Sequence, residues 1–297
     1  MRRMLLIMLG SCIALLPRGC ENDDVEASWS LIYPDGPETL VKGVSYTISW
    51  LAPPGSSVSI DLYHGSAYHS GIAEEVPNTG KFEWIIAENI PAGSDYSIKI
   101  WDLADPGLFA MNKISFSLLE PGILSTYTDS RDGRIYTTVK LGEQTWMAEN
   151  FNYDPGEGTY CYLGNSTYCE TLGRLYTHEA AIAHPPEGWH LPSDDEWKQL
   201  ELYLGMDPEE LNLFGDRGLA VGEILRPGKG SGFNAYFAGY YNHCFGEYGH
   251  KSYEAHYWSS SQTQDSQPIL RIVGNQGSIV RLASSCHMGS SVRYIMD

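Results

Sequence analysis

The chain has 297 residues, a formal net charge of −18 at pH 7, 20 tyrosines and 8 tryptophans. A surface this acidic repels phosphate groups, so we expect neither a nucleic-acid partner nor electrostatic binding to anionic lipid. The length suggests about two domains, and the abundance of aromatic residues is typical of β-rich exported modules.

The first residues have the features of a secretory signal peptide. Arg2 and Arg3 precede a largely apolar run at 4–16. The run fits a signal-peptide core of roughly 7–15 residues and is too short to span a bilayer. An N-terminal core helix is the alternative, but the run lacks the polar positions that would make it amphipathic.

A cysteine closes this segment. The pair Gly19-Cys20 resembles the end of a bacterial lipobox, in which the cysteine thiol is acylated and becomes the new N-terminus. Pro17 stands where lipoboxes favour leucine. The stretch that ends in Cys12 matches the box better but leaves a very short apolar core. We predict a lipoprotein signal peptide at 1–19 with the lipid on Cys20, and Cys12 is the alternative.

Residues 20–27 are predicted to form an acidic tether. The sequence Glu21-Asn22-Asp23-Asp24 resembles the signal that sends Bacteroidetes lipoproteins to the outer face of the outer membrane. It is equally typical of a solvated, disordered linker. We therefore expect an extracytoplasmic chain that is anchored in the outer membrane by its N-terminal lipid and displayed at the cell surface.

Residues 28–119 alternate short β-forming runs with turn residues, which predicts a β-sandwich of about seven strands. The runs, in order, are ISW (48–50), VSIDL (58–62), PNTGKFEW (77–84), IPAGSDYSIKIWD (90–102) and ISFSL (114–118). This order resembles the immunoglobulin-like N-terminal domain of the Kre/Knh-like family. The resemblance implies an all-β immunoglobulin-like sandwich that is not catalytic, with Trp50 and Trp84 in its core.

Residues 120–124 contain Pro121-Gly122 and are predicted to be a linker. Beyond them, residues 125–297 mix strand and helix patterns. Asp132-Gly133 is a hairpin-turn signal between two β-rich runs. A capping box at 193–196 predicts the start of a helix, and Asp207-Pro208 predicts a second, short one.

This second half resembles the Fibrobacter succinogenes major paralogous domain from end to end. The matching segments are DGRIYTTVKLGEQTWMAENFNY (132–153), GRLYTHEAA (173–181), GWHLPSDDEW (188–197), YWSSS (257–261) and SVRYIMD (291–297). Two of these segments are also similar to the superfold of C-type lectins and the formylglycine-generating enzyme. The resemblance implies a loop-rich α+β domain, lectin-like or formylglycine-generating-enzyme-like, in which the N- and C-terminal strands pair.

Four cysteines lie beyond the signal peptide, namely Cys161, Cys169, Cys244 and Cys286. An even number in an exported chain indicates two disulfides, and the residues alone leave three connectivities open. Cys161 and Cys169 stand where the family has a local pair, so the resemblance implies a bridge between them. The family's other two cysteines are replaced here by His184 and Tyr294, and we expect a Cys244–Cys286 bridge instead.

The sequence shows no convincing pattern of metal ligands or catalytic groups. The histidines and cysteines that invite a zinc interpretation are His243, Cys244, His250, His256, Cys286 and His287. Only adjacent members are close in sequence, and adjacent residues do not readily bind one ion tetrahedrally. Trp258 is followed by serine, unlike in calcium-dependent lectins, and no nucleophile elbow is present. We expect no metal, no cofactor and no catalytic residue.

A stretch rich in glycine, tyrosine and histidine is the candidate binding loop, because such loops present rigid aromatic contacts. Its residues are Tyr240, Tyr241, His243, Tyr248, His250, Tyr253 and Trp258. We expect non-catalytic binding or adhesion, with a polysaccharide or a surface protein as the ligand. An enzyme on the same superfold and a purely structural envelope component are the alternatives.

The lipid assignment can be tested by mass spectrometry of the mature N-terminus after expression in a bacterial host that acylates lipoproteins. We expect the chain to begin at Cys20 with a diacylglyceryl group on its thiol, because only this position leaves a full-length signal core. A mature chain that begins at Cys12, or one without lipid, would contradict the assignment.

Overall fold

The computed structural model describes residues 28–55, 57–284 and 288–297. The predicted signal peptide, with Cys12 and Cys20, lies outside these residues, as does the predicted tether. Within the described ranges the chain is mostly β-strand. None of the helices described there has the length and apolar character that a membrane span requires.

The first half of the described chain contains nine strands. They are β1 (Ser30–Tyr33), β2 (Thr39–Val41), β3 (Ser45–Leu51), β4 (Ser57–His64), β5 (Ala67–Pro77), β6 (Lys81–Ile85), β7 (Gly93–Asp102), β8 (Phe109–Met111) and β9 (Phe116–Leu119). One sheet has the order β1-β3-β6. The other has the order β2-β9-β7-β4-β5, with β8 added to β7 and with β2 parallel to β9.

The two sheets share one core, so the predicted sandwich is confirmed. Alternate residues of β4 and β7 point inward, as the period of two requires, and Ile60 and Ile98 are fully buried. Trp50 and Trp84 belong to the same core, as expected. The long strand β5 was not predicted, because it is an edge strand whose side chains are mostly exposed and do not alternate regularly between apolar and polar.

The second half of the described chain alternates short strands and short helices. The strands are β10 (Ile123–Thr128), β11 (Ile135–Leu141), β12 (Gln144–Met147), β13 (Thr159–Tyr160), β14 (Leu175–Tyr176), β15 (Trp189–His190), β16 (Gly215–Arg217), β17 (Tyr240–Asn242), β18 (Glu247–Gly249), β19 (Glu254–Gln262), β20 (Pro268–Gly274), β21 (Ile279–Ala283), β22 (Met288–Gly289) and β23 (Ile295–Met296). The helices are α1 (Ser166–Leu172), α2 (His178–Ala183), α3 (Asp194–Tyr203) and α4 (Val221–Leu225), with a 3-10 turn at Tyr162–Gly164.

These strands form several small sheets. The largest has the order β10-β11-β12-β23-β15, so the last strand of the chain pairs with strands from the start of this half. A second sheet has the order β16-β21-β20-β19, and a third has the order β18-β17-β22. Strands β13 and β14 form a separate pair.

Of two local predictions, one is confirmed and one is wrong. The hairpin around Asp132-Gly133 is confirmed by the pairing of β10 with β11. The predicted helix at Asp207 is wrong, because the segment forms successive hydrogen-bonded turns in which Leu213 N donates to Glu210 O. The Glu210 carboxylate accepts from Gly218 N at 2.7 Å, so it is drawn toward the following loop.

The segment predicted as a linker is ordered structure. Strand β10 already begins at Ile123, and Lys42 of the sandwich binds Glu120 at 2.6 Å. Val41 is fully buried among core residues of the second half. A Cβ at Gly230, where φ is +90°, would lie 2.6 Å from a Val41 methyl carbon. The two halves are therefore packed against each other rather than joined by a spacer.

Helix α3 begins at the predicted capping box, in which Ser193 and Glu196 exchange hydrogen bonds. Trp197 and Leu200 face the core, as their helical spacing predicts. The same helix also buries two carboxylates, Asp194 and Glu201. Burial of a charge is costly unless partners compensate it, so these carboxylates require cations in the core.

Arginines from the neighbouring sheet supply those cations. Glu201 accepts from Arg217 at 2.8 and 2.9 Å and from Arg271 Nε at 2.6 Å, and all three side chains are fully buried. Asp194 accepts from Arg281 at 2.7 and 2.8 Å. Burial alone would raise the pKa of Asp194, but the hydrogen bond from Arg281 and the charge of Arg271 hold it well below the ordinary value. Asp194 is therefore ionised at neutral pH.

The substitution Glu201→Gln tests this network. It preserves the shape of the side chain, leaves the buried guanidinium of Arg217 without its counter-charge and leaves Arg271 with Asp194 alone, so we expect the free energy of unfolding to fall by about 3–5 kcal/mol. Urea denaturation followed by tryptophan fluorescence measures the change. Glu247→Gln, on the exposed hairpin strand, is the matched control and should shift stability by less than about 0.5 kcal/mol. Equal stability of the two variants would contradict the assignment.

Candidate functional site

The candidate binding loop folds as a hairpin. Strand β17 pairs with β18 in a register that places Tyr241 opposite Tyr248. The turn closes through the hydrogen bond from Gly246 N to Asn242 O, and Gly246 has a φ of +68° that favours glycine. Because β17 also pairs with β22, the hairpin is joined to the body of the fold.

A second segment meets this hairpin. Cys161 and Cys169 form the predicted disulfide, which closes a loop between β13 and helix α1. Helix α1 begins at Asn165, whose side chain accepts a hydrogen bond from Thr167 N. Cys169 is buried at 2 % exposure. The bridge therefore holds the aromatic residues that flank both cysteines in one place.

Rings from the two segments pack together, and we call this set the aromatic surface. It consists of Tyr160, Tyr162, Tyr168, Tyr241, His243 and Tyr248, all half-buried. The ring centroids of Tyr160 and Tyr241 are 4.7 Å apart, and those of Tyr162 and Tyr248 are 5.1 Å apart. Such packing restricts each ring while leaving part of it accessible to a ligand.

An open groove of about 510 Å³ borders the aromatic surface. Its lining comes from the loop before β13, from α2 and from the hairpin, and consists of Glu157, Gly158, Tyr160, Thr177, Glu179, Ala180, Ala183, His184 and His243. The groove thus combines aromatic rings with carboxylates. Burial raises the pKa of Tyr160 and of Tyr248 above the ordinary value, so both hydroxyls stay protonated and can donate and accept hydrogen bonds.

The predicted loop residues separate into three groups. The hairpin members Tyr241, His243 and Tyr248 lie together, as expected, whereas the ring of Tyr240 packs against His250 and His256. His250 and Tyr253 lie in the turn that follows β18, and Tyr253 is 63 % exposed. Trp258 does not belong to this surface.

Trp258 lies in the core instead. It is 1 % exposed in the central part of β19, its Nε1 donates to Tyr176 O at 2.8 Å, and its ring packs against His178. Both faces of β19 are covered at this point, which is why Trp258 cannot contact a ligand at the surface. Cys244 is disulfide-bonded, and its predicted partner Cys286 lies outside the described residues.

The sequence-based prediction missed the tyrosines of the disulfide loop. The signal was present in the segment YCYLGNSTYC at 160–169, where a tyrosine stands beside each cysteine. A disulfide between such neighbours fixes the rings as well as the backbone, so aromatic residues next to paired cysteines are candidates for a rigid binding surface.

Models of known families match both halves of the chain. The model of the Fibrobacter succinogenes major domain matches residues 139–296, more than half of the chain. The model of the Kre9/KNH-like N-terminal Ig-like domain matches residues 33–112. Both resemblances found in the sequence are thereby confirmed, including the Ig-like character of the sandwich. No curated protein matches the chain.

The double substitution Cys161→Ser and Cys169→Ser tests the role of the bridge. Opening a loop with a sequence separation of 8 should lower the free energy of unfolding by roughly 2.5 kcal/mol. Thermal denaturation measures this loss, and iodination or nitration of tyrosine, read by peptide mass spectrometry, should become faster at Tyr160 and Tyr162. Tyr68, which is exposed on the sandwich, is the internal reference. Unchanged reactivity at the loop would show that the bridge does not hold the rings.

Proposed function

The chain belongs to the Fibrobacter succinogenes major domain family, and we propose that it is a surface lipoprotein that binds polysaccharide in the groove beside its aromatic surface. The observation that supports this proposal most directly is the packing of half-buried aromatic rings from two distant segments beside one open groove, which Tyr160 and His243 of these rings line.

The chemistry of the groove suits a sugar chain. A pyranose ring has an apolar face of C–H groups, which packs on an aromatic ring such as that of Tyr160. Its hydroxyl groups donate hydrogen bonds to carboxylates, and Glu157 and Glu179 line the same groove. The groove is open to solvent, so a ligand can reach these groups from the surface.

The groove is also pre-organised. The Cys161–Cys169 bridge fixes the segment next to Tyr160 on one side of the groove, and the pairing of β17 with β22 fixes the segment next to His243 on the other. Side chains that are already ordered lose little conformational entropy when a ligand binds. A rigid aromatic wall therefore favours measurable affinity for a flexible and strongly hydrated ligand.

The rival functions have less support. Catalysis would be favoured by carboxylates held in a cleft with a perturbed pKa. The buried carboxylates Asp194 and Glu201 are instead neutralised by arginines inside the core. A structural envelope role would be favoured by a flat polar surface, whereas the hairpin and the disulfide loop present grouped rings beside a groove.

Two further parts of the proposal concern fold and location. We assign the second half to the lectin-like superfold, and the support is the pairing of the early strand β12 with the last strand β23, Trp146 opposite Ile295. We assign the chain to the outer face of the outer membrane. The signal-peptide pattern supports export, and so does the disulfide Cys161–Cys169, since such bonds persist in oxidising compartments.

Polysaccharide binding can be tested on the mature chain with glycan arrays and polysaccharide pull-down, each with and without calcium. We expect calcium-independent binding to at least one polysaccharide. Tyr160→Ala should weaken binding by about tenfold, equivalent to about 1.4 kcal/mol, because the apolar sugar face loses its packing partner. Tyr160→Phe keeps the ring and should retain most of the affinity.

Tyr68→Ala is the matched control, because Tyr68 is 59 % exposed on the sandwich, outside the groove. Its binding should equal that of the wild type. Thermal denaturation of every variant separates loss of the site from loss of the fold. The proposal would be overturned by the absence of binding to any polysaccharide, or by equal effects of the Tyr160 and Tyr68 substitutions.

A further inference from the structure

Three potential metal ligands meet beside the hairpin. His250 lies in the turn after β18, and Glu254 and His256 lie at the start of β19. One ligand atom from each residue lies within 4.8 Å of the other two. The sequence-based expectation of no metal weighed only histidines and cysteines, whereas the residue that joins these two histidines in space is a glutamate.

A single carboxylate oxygen lies between the two imidazoles. Glu254 Oε2 is 2.5 Å from His250 Nδ1 and 2.8 Å from His256 Nε2. Zinc binds imidazole nitrogen and carboxylate oxygen at about 2.0–2.2 Å, so neighbouring ligands of a tetrahedral site lie about 3.3 Å apart. The two contacts of Glu254 reach that value with shifts of less than about 1 Å, and the two imidazole nitrogens, which lie within 4.8 Å of each other, reach it with a shift of at most about 1.5 Å.

The three side chains are held in place from several sides. The ring of Tyr240 packs against both imidazoles, with centroids 5.3 Å from His250 and 4.9 Å from His256. The backbone N–H of Glu254 donates to His250 O at 3.0 Å. His250 itself has a φ of +58°, a sparsely populated conformation for a residue other than glycine. Such strain is found where a structure holds a side chain in a defined position.

The three side chains differ in their exposure to solvent. The side chain of His256 is 4 % exposed, that of Glu254 is 29 % exposed and that of His250 is 54 % exposed. His256 is thus a fixed ligand. The exposed ring of His250 can shift by side-chain rotation on its fixed backbone, and the solvent side provides room for a water molecule as the fourth ligand.

We propose that His250, Glu254 and His256 bind one divalent transition-metal cation. Two imidazoles and one carboxylate favour zinc and its borderline neighbours over calcium or magnesium, which prefer all-oxygen sites. The cation would fix the turn between β18 and β19, and with it the hairpin that carries the aromatic surface. This inference does not depend on the identity of the polysaccharide or on polysaccharide binding itself.

The test uses the mature, tag-free chain after removal of metal with a chelator. Isothermal titration with Zn²⁺ should show one saturable site, and Co²⁺ should give the visible d–d absorption of a tetrahedral complex. His250→Ala and Glu254→Gln should each weaken Zn²⁺ binding by at least about tenfold, since even the loss of a residue that only supports a ligand costs this much. Ca²⁺ and Mg²⁺ in tenfold excess should not compete.

His69→Ala is the matched control, because His69 is an exposed histidine on the sandwich and its loss should leave binding unchanged. His250 is exposed, so its substitution should preserve the fold, and circular dichroism checks this for each variant. Absence of a saturable site would overturn the inference. So would Zn²⁺ binding that persists at wild-type affinity in both His250→Ala and Glu254→Gln.

Discussion

The second half of the molecule is organised around carboxylates buried on one helix. Asp194 and Glu201 are seven residues apart on α3, two helical turns, so they lie on the same face. The arginines that neutralise them come from adjacent strands, with Arg271 on β20 opposite Arg281 on β21. Because burial of an unpaired charge costs several kcal/mol, arrangements of helix and sheet that leave these charges unpaired are disfavoured. Strand β19, which leads out of the site, is paired to this same sheet.

A fully buried arginine also joins distant segments at the end of the chain. Arg293 donates to Asn150 Oδ1 and to the carbonyls of Met147 and Phe233, so it joins the last residues to the start of this half. The next residue, Tyr294, stands where the family resemblance implies a cysteine, and its hydroxyl donates to Ala181 O at 2.7 Å. A hydrogen bond to α2 thus takes the place of the implied disulfide. Since α2 lines the groove, this contact also positions the site.

Features that depend on neighbouring residues could be predicted from the sequence. The sandwich strands, the capping box at Ser193 and the hairpin at Asp132 follow from short patterns. The Cys161–Cys169 bridge was implied by the family resemblance, because the residues alone left three connectivities open. Features that depend on distant pairs could not. Glu201 and Arg271 are 70 residues apart, and a charged residue in a sequence is ordinarily expected at the surface. The prediction for Trp258 was wrong in the opposite direction, since this residue was expected at the surface and is buried. An aromatic residue next to a loop has the same sequence pattern whether it is exposed or buried.

The groove is positioned both by contacts within short segments and by contacts between distant segments. Each wall is stabilised locally, one by a disulfide and the other by strand pairing, and the walls meet through the packing of Tyr160 on Tyr241. The ion pairs of the core do not involve these rings. Side chains at the groove can therefore change with little effect on the charges that define the fold. The same scaffold can therefore carry different side chains at this surface, which is why the fold alone does not determine a function.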